Sequence, residues 1–394
     1  MASFRLRNCT CPPDRKRCTC GAKWEYRIRY LDRKAGKYRE KSKSGFDTKK
    51  AAQLAAAEEE LAIERNGFAE NGNETIKTYL EDWLEIYKKP NVKPITYSVQ
   101  ERNVRLNILP QWENYRLKDI TRSEYQKWIN ELSKKYSEGT VRRIHSIFSS
   151  AINDAVHEFQ ILRDNPIQKI KIPKQQNNES KLHYYTKDQL DVLLEACKPV
   201  KNTKYKHSIQ YYTLFSLLAR TGLRIGEALA LTWDDLADDR ISVSKTLVYP
   251  LNSTPYLSTP KSKASVRQVK LDAVTLMMLK KHRVNQKEVI LRYPGYTASA
   301  DNLMFHQQDG RWLRTNVVRE YFKEVCKRAG VPVLSPHALR HTHAVHLLES
   351  GANIKYVSER LGHASVKITA DTYLHVTKKI EQDALDLYTA YIAD

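Results

Sequence analysis

The sequence predicts a multidomain, mainly α-helical protein with small β-sheets. Its 394 residues suit two or three domains. A short alternating segment near the N-terminus precedes a long helical region, and a polar linker then leads into mixed helices and short strands. We expect an N-terminal β-sheet-plus-helix domain over 1–70, an all-α domain over 73–172, a linker over 173–182, a mixed α/β domain over 183–380 and a tail helix over 381–394.

The N-terminal domain is predicted from strict alternation of apolar and charged residues. Residues 24–30 (WEYRIRY) have the period of a half-buried strand, and 38–43 can form a second strand after a turn that contains Gly36. Thr48 or Asp47 then precedes an Ala- and Glu-rich stretch that predicts a helix to about residue 65.

Charge indicates the class of partner. The formal net charge is +21, the pI is about 9.5 and the mean hydropathy is −0.61. Residues 1–50 alone hold 16 Lys/Arg against 5 Asp/Glu, so about half of the excess lies in an eighth of the chain. Such a protein usually meets a polyanion, with nucleic acid as the leading candidate and a solubilising surface as the alternative. The predicted sheet could lay its basic face, with Arg27 and Arg29, in a DNA groove.

Neither a membrane span nor a secretory signal is expected. No apolar run approaches the roughly 20 residues that a membrane helix needs. The N-terminal MASFRLRNCT also lacks the apolar stretch of a signal peptide.

Four of the six cysteines cluster near the N-terminus, as Cys9, Cys11, Cys18 and Cys20. Four thiolates could bind a structural zinc ion, although the C-x-C spacing is tighter than the usual C-x₂-C. Reduced cysteines that bind no metal are the alternative.

The second domain is predicted to be helical from its amphipathic periodicity. Thr121 starts a helix with Glu124 as a capping-box partner, and another helix runs from Ser137 or Thr140 to Phe159. Its apolar stripe is best explained by core packing. Arg142 and Arg143 lie on another face and are candidate DNA contacts.

The third domain contains polar, basic stretches where a core would be apolar. In ARTGLRIGEAL, Arg224 follows a glycine turn just inside a helix, where its charge opposes the helix dipole unless an anion or Glu227 compensates. In PHALRHTHA, His337 and Arg340 share a helix face and could converge on a phosphate. His337 and His341 also have a spacing that zinc sites use, but no acidic residue follows His337 in an HExxH pattern.

Two further stretches complete the candidate set. His363 follows Gly362 in LGHAS at a turn-to-helix junction, and Tyr373 lies ten residues later in TADTYLHV. Together with Arg224 and the His-x-x-Arg pair, these motifs resemble the tyrosine recombinases, most closely the integrases of temperate phages and conjugative transposons. The resemblance covers about 183–380. The preceding helical segment resembles the family's core-binding domain, and the sheet-plus-helix module resembles its arm-binding domain.

The resemblance implies a site-specific DNA recombinase that works without metal or ATP. Tyr373 would attack the scissile phosphorus and form a 3′-phosphotyrosyl bond. Arg224 and Arg340 would neutralise the phosphate oxygens, while His337 and His363 would donate hydrogen bonds or assist proton transfer. A hairpin lysine would protonate the leaving 5′-oxygen.

Two residues of the same region fit supporting positions in the family pattern. Lys261 matches the hairpin lysine best and Lys263 is its rival. Glu227 would support the first arginine through a salt bridge.

Partners follow from the same resemblance. Double-stranded attachment-site DNA would be bound by a homotetramer in the bacterial cytoplasm, on chromosomal DNA, with DNA-bending or excisionase proteins as accessory partners. The tail would pack either on its own domain or on a neighbouring protomer. The alternatives are a catalytically inactive DNA-binding regulator and a type IB topoisomerase, which shares the chemistry.

Overall fold

The computed structural model describes residues 2–11, 20–32, 37–66, 74–174, 183–198, 208–250, 254–260, 262–296, 302–373, 388–389 and 392. The chain forms two compact units, residues 1–177 and 178–394. Within the described ranges, each helix is too short or too polar to cross a lipid bilayer.

The first unit begins with an antiparallel sheet of order β1-β2-β3 and one helix. The elements are β1 (Ala2–Arg7), β2 (Lys23–Asp32), β3 (Lys37–Phe46) and α1 (Lys49–Asn66). The two predicted strands and the helix are confirmed, but β1 was not anticipated. β1 pairs along β2 with Phe4 opposite Tyr26. The predicted turn that contains Gly36 lies outside the described residues.

The face of this sheet that packs on α1 has a small apolar core. Tyr26 and Ile28 of β2 and Ala56 of α1 are buried together. Lys41 of β3 forms an ion pair with Glu59 of α1 at 2.5 Å, which links the sheet to the helix.

The rest of the first unit is helical, as the periodicity predicts. Its α-helices are α2 (Ile76–Asp82), α3 (Pro94–Asn103), α4 (Leu109–Trp112), α5 (Arg122–Lys135) and α6 (Glu138–His157). Segments 83–88 and 104–108 have π-helical hydrogen bonding. The predicted stripe of α6 is buried, which confirms core packing: Val141, Ile144, Ile147, Phe148 and Ala151. The Thr121 hydroxyl accepts the backbone N–H of Glu124 at 3.3 Å, as expected of the cap of α5.

The second unit contains helices around small antiparallel sheets. Its helices are α7 (Lys187–Cys197), α8 (Ser208–Thr221), α9 (Ile225–Leu229), α10 (Ala273–Arg292), α11 (Thr315–Ala329), α12 (His337–Glu349), α13 (Ile354–Leu361) and α14 (Val366–Tyr373). Its strands are β4 (Leu236–Ala237), β5 (Arg240–Val243), β6 (Thr246–Val248), β7 (Tyr256–Ser258) and β8 (Arg267–Lys270). The strands form one sheet of order β4-β5-β8 and a β6-β7 hairpin.

The core of this unit positions α12 against α8. Leu214, Phe215 and Leu218 of α8 are buried in the same cluster as Ala338 and Leu339 of α12. Thr342 on α12 accepts the backbone N–H of Tyr185 at 3.0 Å, next to Thr186, which caps α7. Most of the predicted tail helix over 381–394 lies outside the described residues.

We expect Trp112→Ala to destabilise the helical part of the first unit by about 3–5 kcal/mol. Trp112 is 1% exposed and contacts the rings of Tyr125, Trp128 and Phe148. Native-state hydrogen exchange of α5 and α6 amides in the full chain measures the loss. The matched control is Leu106→Ala, at a side chain 50% exposed, which should change the free energy of unfolding by less than about 0.5 kcal/mol. Equal, small effects would contradict the proposed packing.

Candidate active site

Gly222 turns the chain from α8 into the position of Arg224. Its φ is +67°, and an added Cβ would lie 2.6 Å from Leu361 and 2.8 Å from the His343 ring, so the turn requires glycine. Arg224 then stands at the N-cap of α9 rather than inside the helix. Its backbone N–H donates to Glu227 at 3.0 Å and its guanidinium at 2.8 Å. Glu227 therefore compensates the positive charge at the helix start, as the sequence suggested.

Glu227 is buried between two arginines. Its side chain is 3% exposed, and Arg267 at the start of β8 donates to its second oxygen at 3.0 Å. Burial alone would raise the pKa of Glu227, but the charges and hydrogen bonds of Arg267 and Arg224 outweigh it and lower the pKa. Glu227 thus stays ionised and holds both guanidiniums. Arg267 was not among the predicted site residues.

Arg340 is almost fully buried, although its charge demands a partner. It is 2% exposed and donates to the backbone oxygen of Gly222 at 2.7 Å. Among the described residues, its Nη2 has no hydrogen-bond partner. Burial first, and then the charge of Arg224, lower its pKa to about 9. A buried cation with donors to spare is arranged to receive an anion.

His341 of α12 contacts the phenol of Tyr373. His337 and His341 lie one turn apart, and their rings meet edge to face with centroids 4.8 Å apart. His341 Nδ1 lies 3.0 Å from the Tyr373 hydroxyl. Burial and then the charges of His337 and Arg340 lower the pKa of His341 to about 4, so the imidazole is neutral at pH 7 and can accept the phenolic hydrogen. His341 was considered in the sequence only as a metal ligand.

His363 is the second histidine whose ring lies near that of Tyr373. Gly362 caps α13 with φ +71°, and a Cβ there would lie 2.9 Å from the Arg267 guanidinium. His363 Nδ1 then bonds the Thr369 hydroxyl at 2.8 Å. Its ring lies parallel to that of Tyr373 with centroids 6.4 Å apart. Burial and the charges of Arg340 and Arg224 lower the pKa of His363 to about 4.

Tyr373 ends α14 with a buried ring. The side chain is 1% exposed. Burial raises the pKa of its hydroxyl, and the charges of Arg340 and Arg224 act in the opposite direction. The hydroxyl is therefore a phenol at neutral pH, held next to an acceptor and two cations. That arrangement suits attack on a phosphate whose charge the cations neutralise.

His337 stands at the solvent-facing start of α12. Desolvation and then the charges of Arg340 and Arg224 lower its pKa. Among the described residues, no third His, Cys or carboxylate joins His337 and His341 to complete a group of metal ligands. The pair therefore does not have the ligand set of a zinc site in this part of the chain.

Of the two candidate lysines for protonating the leaving group, the structure describes only one. Lys261 is outside the described residues. Its rival Lys263 is exposed, in a short 3₁₀ turn (Lys263–Ser265) before β8.

The candidate DNA-binding arginines are accessible but some already have acidic partners. Arg27 pairs with Glu40 at 3.2 Å, and the Arg29 guanidinium lies 4.9 Å from the ring centroid of Tyr38. Arg142 pairs with Glu138 at 2.6 Å within α6. Arg143 is exposed on the same helix.

The chain matches known proteins along most of its length. Residues 183–379 match the phage integrase family, 75–133 match the N-terminal SAM-like domain of phage integrases, and 15–63 match an arm DNA-binding domain. A XerC-like tyrosine recombinase of Caldanaerobacter subterraneus subsp. tengcongensis is 30% identical over 359 residues, which are 86% of this chain and 89% of the relative.

Two solved structures share the fold. The Tn1549 transposon integrase in complex with a circular intermediate DNA is 21% identical with a TM-score of 0.66, covering 80% of this chain and 99% of that one. A lambda integrase tetramer bound to a Holliday junction is 18% identical with a TM-score of 0.56, covering 94% of both chains.

We expect the second unit to lose stability as the pH falls from about 6.5 to 4. Burial lowers the pKa of His282 to about 4 and that of His343 to about 3. The pKa values of His341 and His363 are also lowered, to about 4. In this window the unfolded chain binds protons that the folded chain does not, so the free energy of unfolding decreases with decreasing pH.

Urea unfolding at pH 7.0, 6.0 and 5.0 measures this loss in the full chain. The control is His157→Gln, at an exposed histidine of α6. This variant should leave the pH dependence of the second unit's free energy of unfolding unchanged. A second-unit transition that stays constant from pH 7.0 to 5.0 would contradict the proposed neutral histidines.

Proposed function

The chain belongs to the phage integrase family of tyrosine recombinases, and on that premise we propose which residues carry out its reaction. It is a site-specific recombinase, whose family chemistry cleaves and rejoins DNA without a metal or nucleotide cofactor. The observation that carries the assignment is the position of the Tyr373 hydroxyl. It lies 3.0 Å from the neutral imidazole of His341, and the charges of Arg340 and Arg224 act on it.

Tyr373 is the nucleophile. Its phenolic oxygen attacks the scissile phosphorus, a tyrosyl O–P bond forms, and the bond from phosphorus to the 5′-oxygen breaks. The 3′-phosphotyrosyl linkage keeps the energy of the phosphodiester, so the freed 5′-hydroxyl of another strand can reverse the step without ATP. When the attacking 5′-hydroxyl belongs to the partner DNA, the reversed step joins exchanged strands, which is recombination.

Arg224 and Arg340 neutralise the non-bridging phosphate oxygens. The Nη2 donor of Arg340 has no hydrogen-bond partner among the described residues, which supports this role because an unsatisfied buried donor is costly until an anion accepts its hydrogen bond. Glu227 holds Arg224 in place and does not itself contact phosphate. His337 and His363 donate hydrogen bonds to the phosphate or assist proton transfer.

His341 accepts the proton of the Tyr373 hydroxyl. Because burial raises the pKa of the tyrosine, few molecules carry a phenolate at neutral pH, and attack needs a proton acceptor. The lowered pKa of His341 keeps that acceptor neutral. The leaving 5′-oxygen takes its proton from Lys261, with Lys263 as the alternative donor.

Double-stranded DNA is the partner. The domain over 73–172, with Arg142 and Arg143, and the domain over 183–380 hold the crossover site, while residues 1–70 with Arg27 and Arg29 bind a separate arm site. The net charge of +21 supports extensive phosphate contact. We extend this to a homotetramer acting on chromosomal DNA in the bacterial cytoplasm, with accessory DNA-bending or excisionase proteins, to integrate and excise a mobile element.

Tyr373→Phe should bind attachment-site DNA with unchanged affinity and form no covalent adduct on a nicked suicide duplex. The substitution removes the nucleophilic oxygen and keeps the buried ring. The control Tyr356→Phe changes an exposed tyrosine, 49% accessible, of the same unit and should form adduct at the normal rate. Denaturing gels measure the adduct. A covalent band from Tyr373→Phe would overturn the assignment.

His341→Asn should slow cleavage by roughly 10²- to 10⁴-fold, the usual contribution of a positioned proton acceptor, with little change in DNA affinity. An amide can hold the hydroxyl but cannot take its proton. The cleavage rate of the variant should therefore rise with pH between 6 and 9, as the phenolate fraction grows, while the normal chain changes far less. Single-turnover cleavage on the suicide duplex measures both profiles. Identical rates and pH profiles would show that His341 has no part in proton transfer.

A further inference from the structure

Three thiols converge in the connection between β1 and β2, far along the chain from the recombinase motifs. The sulfurs of Cys9, Cys11 and Cys20 all lie within 4.8 Å of one another. The Sγ atoms of Cys9 and Cys20 are 3.6 Å apart, well beyond the roughly 2.05 Å of a disulfide. The fourth cysteine of this segment, Cys18, precedes Cys20 by two positions and lies outside the described residues.

This spacing fits a tetrahedral metal. Four thiolates at about 2.3 Å from zinc are separated from one another by about 3.8 Å, the edge of the tetrahedron. The 3.6 Å separation of the Cys9 and Cys20 sulfurs is close to that edge, and the Cys11 sulfur lies within 4.8 Å of both. Cys9, Cys11 and Cys20 thus reach a geometry that the tight C-x-C spacing alone did not guarantee.

The backbone on both sides of the connection brings the cysteines together. Asn8 has φ +55° directly before Cys9, and Gly21 has φ +74° directly after Cys20. These left-handed residues turn the chain as it leaves β1 and as it enters β2. The two ends of the loop therefore face each other across the antiparallel pair.

The sheet-plus-helix module has a physical need for such a link. Its buried apolar cluster consists, among the described residues, of Tyr26, Ile28 and Ala56. Small modules with so little core usually rely on a disulfide or a metal for stability. A cation at the base of the β1–β2 loop would join β1 to the sheet and close the loop.

Charge balance also favours four thiolates here. A zinc ion with four thiolates carries a net charge of −2, and the loop between the cysteine pairs contains Arg15, Lys16 and Arg17. Their charges would offset the anionic centre and favour the thiolate forms that metal binding requires.

We propose that Cys9, Cys11 and Cys20 bind one structural Zn²⁺ ion at the base of the connection between β1 and β2, with Cys18 as the fourth ligand that the sequence supplies. All four coordination positions are filled by thiolates, so the ion has no open position for chemistry. This site is independent of the recombinase assignment.

The experiment uses the full chain, purified under reducing conditions and reconstituted with Zn²⁺. Elemental analysis should find one zinc per chain. Replacement by Co²⁺ should give the thiolate-to-cobalt charge-transfer band and the intense visible bands of a tetrahedral sulfur site. Exchange of β1 and β2 amides should accelerate when a chelator removes the ion, with little change in the second unit.

The double variant Cys9→Ser, Cys20→Ser should lose the zinc and the cobalt spectrum. The matched control is Cys197→Ala, because burial raises the pKa of that thiol to about 12 and makes it a poor ligand, so the control should retain one zinc. Absence of metal after reconstitution, retention of zinc by the double variant, or a disulfide among these cysteines in the reduced chain would overturn the proposal. Cleavage of a nicked core duplex by the chelated chain should persist, which separates failure of this site from failure of the catalytic assignment.

Discussion

The buried carboxylate of Glu227 is the interaction on which the rest of the catalytic unit depends. It accepts hydrogen bonds from Arg224 at 2.8 Å and from Arg267 at 3.0 Å, and its side chain is 3% exposed. Arg267 in turn donates to the backbone oxygen of Arg360 at 2.7 Å, at the end of α13. One ionised group thereby connects the start of α9, the start of β8 and the turn that presents His363. Removing it would leave a buried guanidinium without its counter-charge, which is a costly state.

Burial and positive charge act together around that carboxylate. They lower the pKa of His341 and of His363 to about 4, so neutral imidazoles surround the buried phenol of Tyr373. The same burial lowers the pKa of Arg340 to about 9, still above neutral pH, so this group remains a cation. A site with neutral proton acceptors and fixed cations has the electrostatics for a phosphate that gains charge during the reaction.

Local patterns predicted local structure well. The alternation in 24–30, the Thr121 cap and the stripe of α6 all appear where periodicity and capping chemistry indicated. Strand β1 was missed although Ala2–Arg7 also alternates, because its burial comes from pairing with β2 and α1 rather than from its own hydrophobicity. Arg224 was placed one position too far into its helix, since helix ends depend on capping contacts that a pattern does not reveal.

The sequence by itself determined the family, the multidomain, mainly helical architecture and the residue types available for the reaction, because motif order and periodicity are properties of the chain. Only the tertiary structure decided which of those residues meet. No signal in the sequence indicated the contact of His341 with Tyr373 or the role of Arg267, since one lies among several histidines of α12 and the other is typical of a strand residue. Their contacts with Tyr373 and Glu227 join positions 32 and 40 residues apart. Protonation states, too, follow from burial, which depends on packing between distant elements and not on local sequence.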